Sequence, residues 1–287
     1  MRLRTAVCAG LGVLLACKGS ERGGVPVGGK VLLRYHPPSG ANYRYVMDQD
    51  SKIAFDSGAM GKMPDQQITM TMFMTQAVGA PAESGFSVVT TIDSSKIGGP
   101  LGALAGPMAE QTKGARTTMV FDSRLHVLHA DFTGLPGVSP QMAQQMNGGF
   151  RGMIFEFPEA AVGAGDTWTT NLELPFAQFS SASAPLTAST KLTVREVLIA
   201  GGDTTVRLGV VTTFPENPIS IDAMGGQMTL RMSGTLTGEQ VFSLTRGTIV
   251  TTTMTGTIHA MTKGGVLGAQ GLAVTVTQNG SMKLVEK

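Results

Sequence analysis

The chain has 287 residues, of which 42% are hydrophobic and only 15% charged. It is therefore apolar enough to build a sizeable core and too apolar for intrinsic disorder. Its 22 basic and 20 acidic residues nearly balance, so no excess of positive charge is available to bind nucleic acid or an acidic membrane surface. The 38 glycines, the many threonines and serines, and the scarcity of long runs of helix formers favour an all-β fold.

The first 17 residues carry the pattern of an export signal. Arg2 and Arg4 precede an uncharged run, residues 5–16, which is shorter than the roughly 20 apolar residues of a membrane-spanning helix. The run ends in Leu14-Leu15-Ala16-Cys17, which resembles the lipobox of bacterial lipoproteins. That resemblance implies cleavage before Cys17, attachment of diacylglycerol and acyl groups to this residue, and anchoring in the membrane of the cell envelope.

The predicted signal peptide, residues 1–16, takes Cys8 with it, so the mature chain holds one acylated cysteine and forms no disulfide. Loss of Arg2 and Arg4 leaves the mature chain neutral. The glycine-rich residues 17–29 are predicted to be a flexible tether with a reach on the order of 20 Å. Lys18 resembles the residue that follows the cysteine in lipoproteins not retained by the inner membrane, which favours the periplasmic side of the outer membrane.

From Lys30 onward the sequence predicts strands. The clearest period of two runs from Ile68 to Thr75, with Met70, Met72 and Met74 on one face and mostly threonine on the other. Other strands of the first half are predicted at Val31–Tyr35, at Tyr43–Met47 with its continuation at Ile53–Phe55, and at Phe86–Ile92, Thr117–Phe121 and Leu125–Phe132. Short helices are predicted within residues 100–111 and 140–146.

Gly148-Gly149 is the best internal boundary, and the second half repeats the first in outline. Gly40-Ala41-Asn42-Tyr43 has a counterpart in Gly165-Asp166-Thr167-Trp168, and Val120-Phe121 has one in Val241-Phe242. We therefore predict two similar antiparallel, curved-sheet lobes resembling half-barrels, at residues 30–148 and 149–287. Strands of the second half are predicted at Leu186–Ile199, Thr204–Phe214, Met228–Thr237, Gln240–Leu244, Thr248–Met261 and Leu272–Leu284.

A few motifs of the mature chain resemble an uncharacterised family of bacterial lipoproteins. They are Tyr43-Arg44-Tyr45, Phe157-Pro158, the Val162–Trp168 stretch that holds Gly165-Asp166-Thr167-Trp168, and the segment from Phe242 to Gly247. The resemblance implies a similar architecture and location. It implies no activity, because none is assigned to that family.

The sequence lacks the motifs of an enzyme or a metalloprotein. His126 and His129 lie three apart on a predicted strand and so leave opposite faces, which predicts that they share no metal. Neither a Gly-x-Ser-x-Gly elbow nor a Ser-x-x-Lys motif is present. We predict a protein that is not an enzyme and needs no cofactor. A hydrolase with His126, His129 or His259 as its base is the remote alternative.

The 18 methionines are the most unusual feature of the composition. Met70, Met72 and Met74 on one strand, with Met228 and Met232 on another, offer a flexible apolar lining suited to irregular partners. They are interpreted either as core or as part of a hydrophobic groove. The leading hypothesis is a concave β surface that binds an apolar ligand or a lipid-bearing partner, which predicts a cavity of several hundred Å³. The alternative is a structural or assembly component whose exposed strand edge pairs with another envelope protein.

Overall fold

The computed structural model describes residues 25–56, 64–82, 85–100, 110–133, 154–173, 187–223, 226–268 and 270–285. Cys17, the helix predicted at 140–146, most of the helix predicted at 100–111 and the boundary at Gly148-Gly149 lie outside these residues. No helix within the described ranges is both long and apolar enough to cross a membrane.

The described residues form one antiparallel sheet of 13 strands, which confirms the all-β prediction. The strands are β1 Val25–Pro26, β2 Asn42–Asp56, β3 Gln66–Ala82, β4 Gly85–Gly98, β5 Arg116–Phe121, β6 Val127–Thr133, β7 Thr167–Glu173, β8 Thr187–Ala200, β9 Asp203–Phe214, β10 Ile219–Ala223, β11 Gly226–Ser243, β12 Thr248–Gly264 and β13 Leu272–Val285. A short 3₁₀ helix spans Gly265–Leu267. The order across the sheet is β1-β8-β9-β11-β12-β13-β2-β3-β4-β5-β6, with β7 also paired to β8 and β10 to β11.

Most predicted strands are present, with two corrections. β11 joins two runs, Met228–Thr237 and Gln240–Leu244, that the sequence analysis separated. The predicted strand Val31–Tyr35 is instead an extended segment that joins no strand ladder. It makes a single β-bridge, between Val31 and Val162. Within the segment predicted as a tether, residues 17–29, Val25 and Pro26 form β1 and the Val27 N–H donates to Val197 O.

The two halves of the chain share one strand order. β2, β3, β4, β5 and β6 pair in succession, and β7, β8, β9, β11 and β12 do the same, while β13 joins the halves into a continuous sheet. Gly40 and Gly165 both have a positive φ, of 75° and 90°, just before the first strand of each series. The β5–β6 and β11–β12 hairpins also shift register at equivalent places, between Val120 and Phe121 and between Val241 and Phe242. The repeat in the sequence therefore corresponds to a repeat in topology.

The sheet is amphipathic, and its inner face is curled around the main core. That core joins Val88 and Phe121 from one end of the sheet to Leu192 and Leu208 from the other, which requires strong curvature. The outer face is rich in threonine, as in the hydroxyl pair of Thr257 and Thr277, which are 3.2 Å apart. This division follows from the period-two patterning of the strands.

Two extended segments, residues 31–36 and 154–162, cross the end of the curled sheet at which the β5–β6 and β11–β12 turns lie. We call these segments the straps. They are joined to each other by paired hydrogen bonds of 2.8 Å between Val31 and Val162. Tyr35 packs edge-to-face on Phe121 with ring centroids 5.5 Å apart, and Phe157 packs on Phe242 at 4.8 Å. The straps thereby close one end of the space inside the sheet.

A candidate ligand cavity on the inner face

The inner face of the sheet holds a cavity of about 560 Å³ beside the straps. Its lining is mostly apolar and comes from both halves of the chain. The lining residues are Tyr35, Tyr45, Met47, Asp48, Gln49, Gln76, Val88, Met119, Phe121, Leu125, Ile154, Phe155, Gln240, Thr248, Ile249, Thr252, Met254, Gln278, Gly280, Ser281 and Met282. The volume lies within the range of roughly 300–1,000 Å³ that is usual for small-molecule sites.

Strand register explains why methionines dominate part of this wall. Met282 of β13 pairs with Met47 of β2, and Met47 pairs with Met72 of β3. Residues directly opposite each other in an antiparallel ladder project from the same face. Met282, Met47 and Met72 therefore form a continuous row on the inner face, here called the methionine row, and its first two members line the cavity.

The methionines singled out from the sequence all lie on this inner face, but none of them is among the residues that line the cavity. Met70, Met72 and Met74 pair with Gln49, Met47 and Tyr45, and their side chains are half-buried just beyond it.

Met228 and Met232 are 5% and 8% exposed. Met232 belongs to a separate core cluster formed with Phe214, Leu230 and Leu236. Both residues are thus buried in the core.

Two tyrosines stand at the end of the cavity nearest the straps. The Tyr45 hydroxyl donates to Ile249 O at 2.8 Å and lies 3.2 Å from Thr248 Oγ1. Burial raises the pKa of Tyr45 to about 12, although the hydrogen bond with Thr248 acts to lower it. Burial also raises the pKa of Tyr35 well above its usual range. Both phenols are therefore neutral at physiological pH.

Three buried side-chain oxygens of the described residues have no hydrogen-bond partner: Thr90 Oγ1, Gln240 Oε1 and Thr252 Oγ1. Gln240 and Thr252 line the cavity and are directly paired across β11 and β12. Thr90 pairs with Gln76, another lining residue. An unsatisfied buried polar group costs about 1–3 kcal/mol, so these oxygens are a local defect in an otherwise satisfied sheet.

A charged cluster joins the turn between β5 and β6 to the second strap at the rim of the cavity. His126 Nδ1 lies 2.6 Å from Asp122 Oδ2, and its Nε2 lies 2.9 Å from Glu156 Oε2. Asp122 Oδ1 also accepts the backbone N–H groups of Arg124 and His126. Partial burial raises the pKa of Asp122, but these hydrogen bonds outweigh it and hold the pKa below its usual range. The cluster positions Leu125 and Phe155, which line the cavity.

His129 and His259 are not among the residues that line the cavity. His126 lies in the turn that precedes β6, not on the strand as predicted, and His129 is exposed on β6. His259 is exposed on β12, with its Nδ1 3.0 Å from Thr275 Oγ1. Across the part of the chain that the structure describes, no group of three His, Cys, Asp or Glu side chains is arranged to hold a metal ion.

The Asp166 and Trp168 pair is structural. Asp166 Oδ2 accepts the Gly163 N–H at 3.0 Å and forms an ion pair with Lys30 at 2.9 Å. Trp168 packs against the main core and donates from Nε1 to Glu156 O at 2.8 Å. The motif therefore anchors the second strap to the start of β7.

Sequence reasoning did not identify Met47, Met119, Met254 and Met282 as lining residues. The alternation Tyr43-Arg44-Tyr45-Val46-Met47 places Met47 on the same face as Tyr45. What was missing was the pairing of β2 with β13, two strands separated by more than two hundred residues in the chain. A local pattern identifies a face but not its distant neighbours.

No protein-family model and no curated protein matches this chain. Among solved structures, the chain is similar to lipovitellin in a study of lipid–protein interactions, with 11% sequence identity and a TM-score of 0.45. The similarity covers 88% of this chain and 26% of the lipovitellin chain. The chain thus spans about a quarter of the length of that neighbour.

Proposed function

We propose that this protein is a non-enzymatic, lipid-anchored protein of the cell envelope that binds an apolar ligand inside its curled sheet. The observation that carries the proposal is the cavity of about 560 Å³ with its mostly apolar lining. An apolar ligand of matching size would make packing contacts along such a lining. The flexible side chains of Met47, Met119 and Met282 suit ligands of irregular shape.

The anchor is the second part of the proposal and rests on the sequence. Leu14-Leu15-Ala16-Cys17 supports acylation at Cys17, and Lys18 supports delivery to the periplasmic side of the outer membrane. In a Cys17→Ala variant we expect loss of radiolabelled palmitate and release from membranes. Unchanged labelling and retention would contradict the anchor while leaving ligand binding open to its own test.

Ligand binding is tested with N-phenyl-1-naphthylamine, an uncharged apolar fluorophore, added to the full chain carrying Cys17→Ala and purified without detergent. We expect saturable fluorescence enhancement. Met47→Glu places a charge in the cavity wall and should weaken binding by at least about tenfold. The matched control is Phe73→Glu, because Phe73 is 39% exposed and pairs with Ser94 on the outer face of β3 and β4.

Native mass spectrometry of the same protein, isolated from its own envelope, is the complementary measurement. A co-purifying apolar species that is present with Phe73→Glu and absent with Met47→Glu supports the proposal. A fluorophore that fails to bind the folded wild-type chain, with circular dichroism confirming the fold, contradicts it.

The free edge of β6 supports a second candidate function, in structural assembly. β6 ends the strand order, and no other described strand pairs with its outer edge. Leu128 on this strand is 46% exposed, and an uncovered edge offers backbone groups for pairing with another chain. Photo-crosslinking from position 128 in intact cells should capture one discrete partner if β6 is an assembly edge, and a diffuse pattern would exclude it.

A further inference from the structure

The inner face carries one row of residues that runs from polar to apolar across five strands. Gln240 of β11 pairs with Thr252 of β12, and Thr252 pairs with Met282 of β13. The methionine row then continues from Met282 through Met47 to Met72. Since neighbouring strands are about 4.8 Å apart, Thr252 and Met72 are separated by about 15 Å along the sheet.

The polar end of this row lacks internal partners. Gln240 Oε1 and Thr252 Oγ1 are buried without a hydrogen bond among the described residues, and Gln240 is only 5% exposed. An amide oxygen accepts hydrogen bonds, whereas a hydroxyl both donates and accepts. The pair is therefore suited to a ligand group that offers one donor and one acceptor.

The lining includes hydrogen-bonding groups but no inward charge. Gln49, Gln76, Gln240 and Gln278 contribute amides from four strands, and no lysine, arginine or histidine lines the cavity in the described ranges. Asp48 lies between inward-facing Met47 and Gln49, so its side chain projects to the outer face, where it accepts a hydrogen bond from Thr71 Oγ1.

The nearby cation Arg246 does not change this account. Its charge acts on the phenol of Tyr45, but Arg246 is not part of the lining. Its Nε lies 3.7 Å from Asp203 Oδ2. The cavity therefore provides no counter-ion for a carboxylate or phosphate.

We infer that the cavity selects an uncharged amphiphile, a long-chain alcohol or a primary or secondary amide, whose polar group binds Gln240 and Thr252 and whose chain lies along the methionine row. The inference rests on the proposed function and specifies its ligand class. An alcohol donates its O–H to Gln240 Oε1 and accepts from Thr252 Oγ1. A carboxylate brings a charge without a cation to neutralise it, and an ammonium group finds no inward-facing carboxylate.

The test is displacement of N-phenyl-1-naphthylamine by dodecanol, dodecanoate and dodecylammonium at neutral pH, since these probes share one chain length and differ in their heads. We expect dodecanol to displace the fluorophore at a concentration at least about tenfold lower than either charged probe. Dodecane, which has the same chain and no polar head, is the reference for the polar contact. Gln240→Leu and Thr252→Val should each reduce the preference for dodecanol over dodecane by about five- to tenfold. Thr253→Val is the matched control, because Thr253 is exposed on the outer face of β12.

The outcomes separate this inference from the proposed function. Failure of the fluorophore to bind overturns both. Binding of the fluorophore with dodecanoate equal to or better than dodecanol overturns only the choice of an uncharged ligand. A preference for dodecanol that survives both Gln240→Leu and Thr252→Val overturns the assignment of the polar contact. Met72→Glu should weaken dodecanol more than Phe73→Glu does, and equal effects would overturn the position of the chain.

Discussion

The two halves of the sheet have the same strand order but bury their inner faces to different degrees. On β8 and β9, Leu192, Val194, Leu208 and Val210 are at most 1% exposed. On β2 and β3, Met47, Met70, Met72 and Met74 are only half-buried. The first surface is a sealed core of leucine and valine, whereas the second is a methionine surface that continues into a cavity. One topology therefore supports both a stable scaffold and an open apolar face.

Side-chain chemistry accounts for this difference. Branched side chains on β8 and β9 fit the pleated surface with few rotamers, and the hydroxyls of Thr190 and Thr212 on these strands form a 2.9 Å hydrogen bond. The surface of β2 and β3 uses flexible methionines and continues into a cavity in whose wall the hydroxyl of Thr252 on β12 has no partner. Packing and polar satisfaction thus change together from β8 and β9 to the cavity wall.

The largest effect expected from this comparison is on core truncation. Leu208→Ala should lower the free energy of unfolding by about 2–5 kcal/mol, because Leu208 is fully buried and the neighbouring strands leave a cavity. Met72→Ala should cost about 1 kcal/mol or less, since Met72 is half-buried. Urea unfolding followed by the fluorescence of Trp168, the one tryptophan, measures both. Equal losses would show that the two faces are packed alike.

Alkaline pH should act on the open half alone, because the three tyrosines lie at residues 35, 43 and 45. Burial raises the pKa of Tyr45 to about 12, whereas an unfolded tyrosine ionises near pH ~10. The stability from this group is complete below that pH and is lost as the pH rises through about 12. The shift of about two units corresponds to a loss on the order of 2–3 kcal/mol.

Unfolding by urea at a series of alkaline pH values measures this loss, and Tyr45→Phe is the control. The variant should lose less stability between pH ~10 and ~12 than the wild type does. Phenolate absorbance should appear with the usual pKa only after unfolding. A wild-type chain whose three tyrosines all ionise normally while Trp168 remains in its folded environment would refute the burial of Tyr45.

Polar satisfaction gives an intermediate effect of opposite sign at a paired threonine of the sealed core and at an unpaired threonine of the cavity wall. Thr190→Val removes the partner of a buried hydroxyl, Thr212 Oγ1, and should cost about 1–3 kcal/mol. Adding Thr212→Val should recover part of that loss. Thr252→Val removes a hydroxyl that has no partner, so the unliganded protein should be unchanged or slightly more stable. A loss of more than ~1 kcal/mol in Thr252→Val would mean that its hydroxyl is satisfied in solution.

The sequence was sufficient to predict an all-β fold and a cavity of several hundred Å³, but insufficient to predict which residues line that cavity. Alternation gave the faces of β3, and the predicted strands Leu186–Ile199 and Thr204–Phe214 correspond to β8 and β9, whose hairpin turn holds Gly201 and Gly202 with positive φ. The predicted strands Met228–Thr237 and Gln240–Leu244 left a gap at Gly238, which continues β11, because only a residue without a Cβ fits against the carbonyl of Thr253 on β12.

The straps and the covered part of the inner face could not be predicted locally. Residues 31–35 have the composition of a strand, yet they cross the end of the sheet because their apolar side chains pack across the open end, as Leu33 does at 0% exposure. Met228 and Met70 have similar local patterns, but Met228 is buried and Met70 is half-buried. The difference comes from elements that are distant in the chain, so no window of sequence contains it.

The smallest effect concerns two equivalent hairpin turns that are capped by different chemistry. In the open half, Asp122 follows Phe121 and accepts the N–H groups of Arg124 and His126. In the sealed half, Ser243 follows Phe242 and its Oγ accepts the N–H of Arg246 at 2.9 Å. A carboxylate cap is lost on protonation, whereas a hydroxyl cap is not.

Acid should therefore loosen the turn at Asp122 before the turn at Ser243. Because the folded-state pKa of Asp122 is depressed, its contribution is complete above the unfolded value of ~4 and is lost as the pH falls through the folded value. We expect about 1 kcal/mol, given the partial exposure of this group. Asp122→Ser, which copies the other turn, should lower stability at neutral pH and flatten its dependence on acid. Hydrogen exchange at Arg124 and Arg246 distinguishes the turns, and acid-induced exchange that is equal at both amides would show that the two caps respond alike.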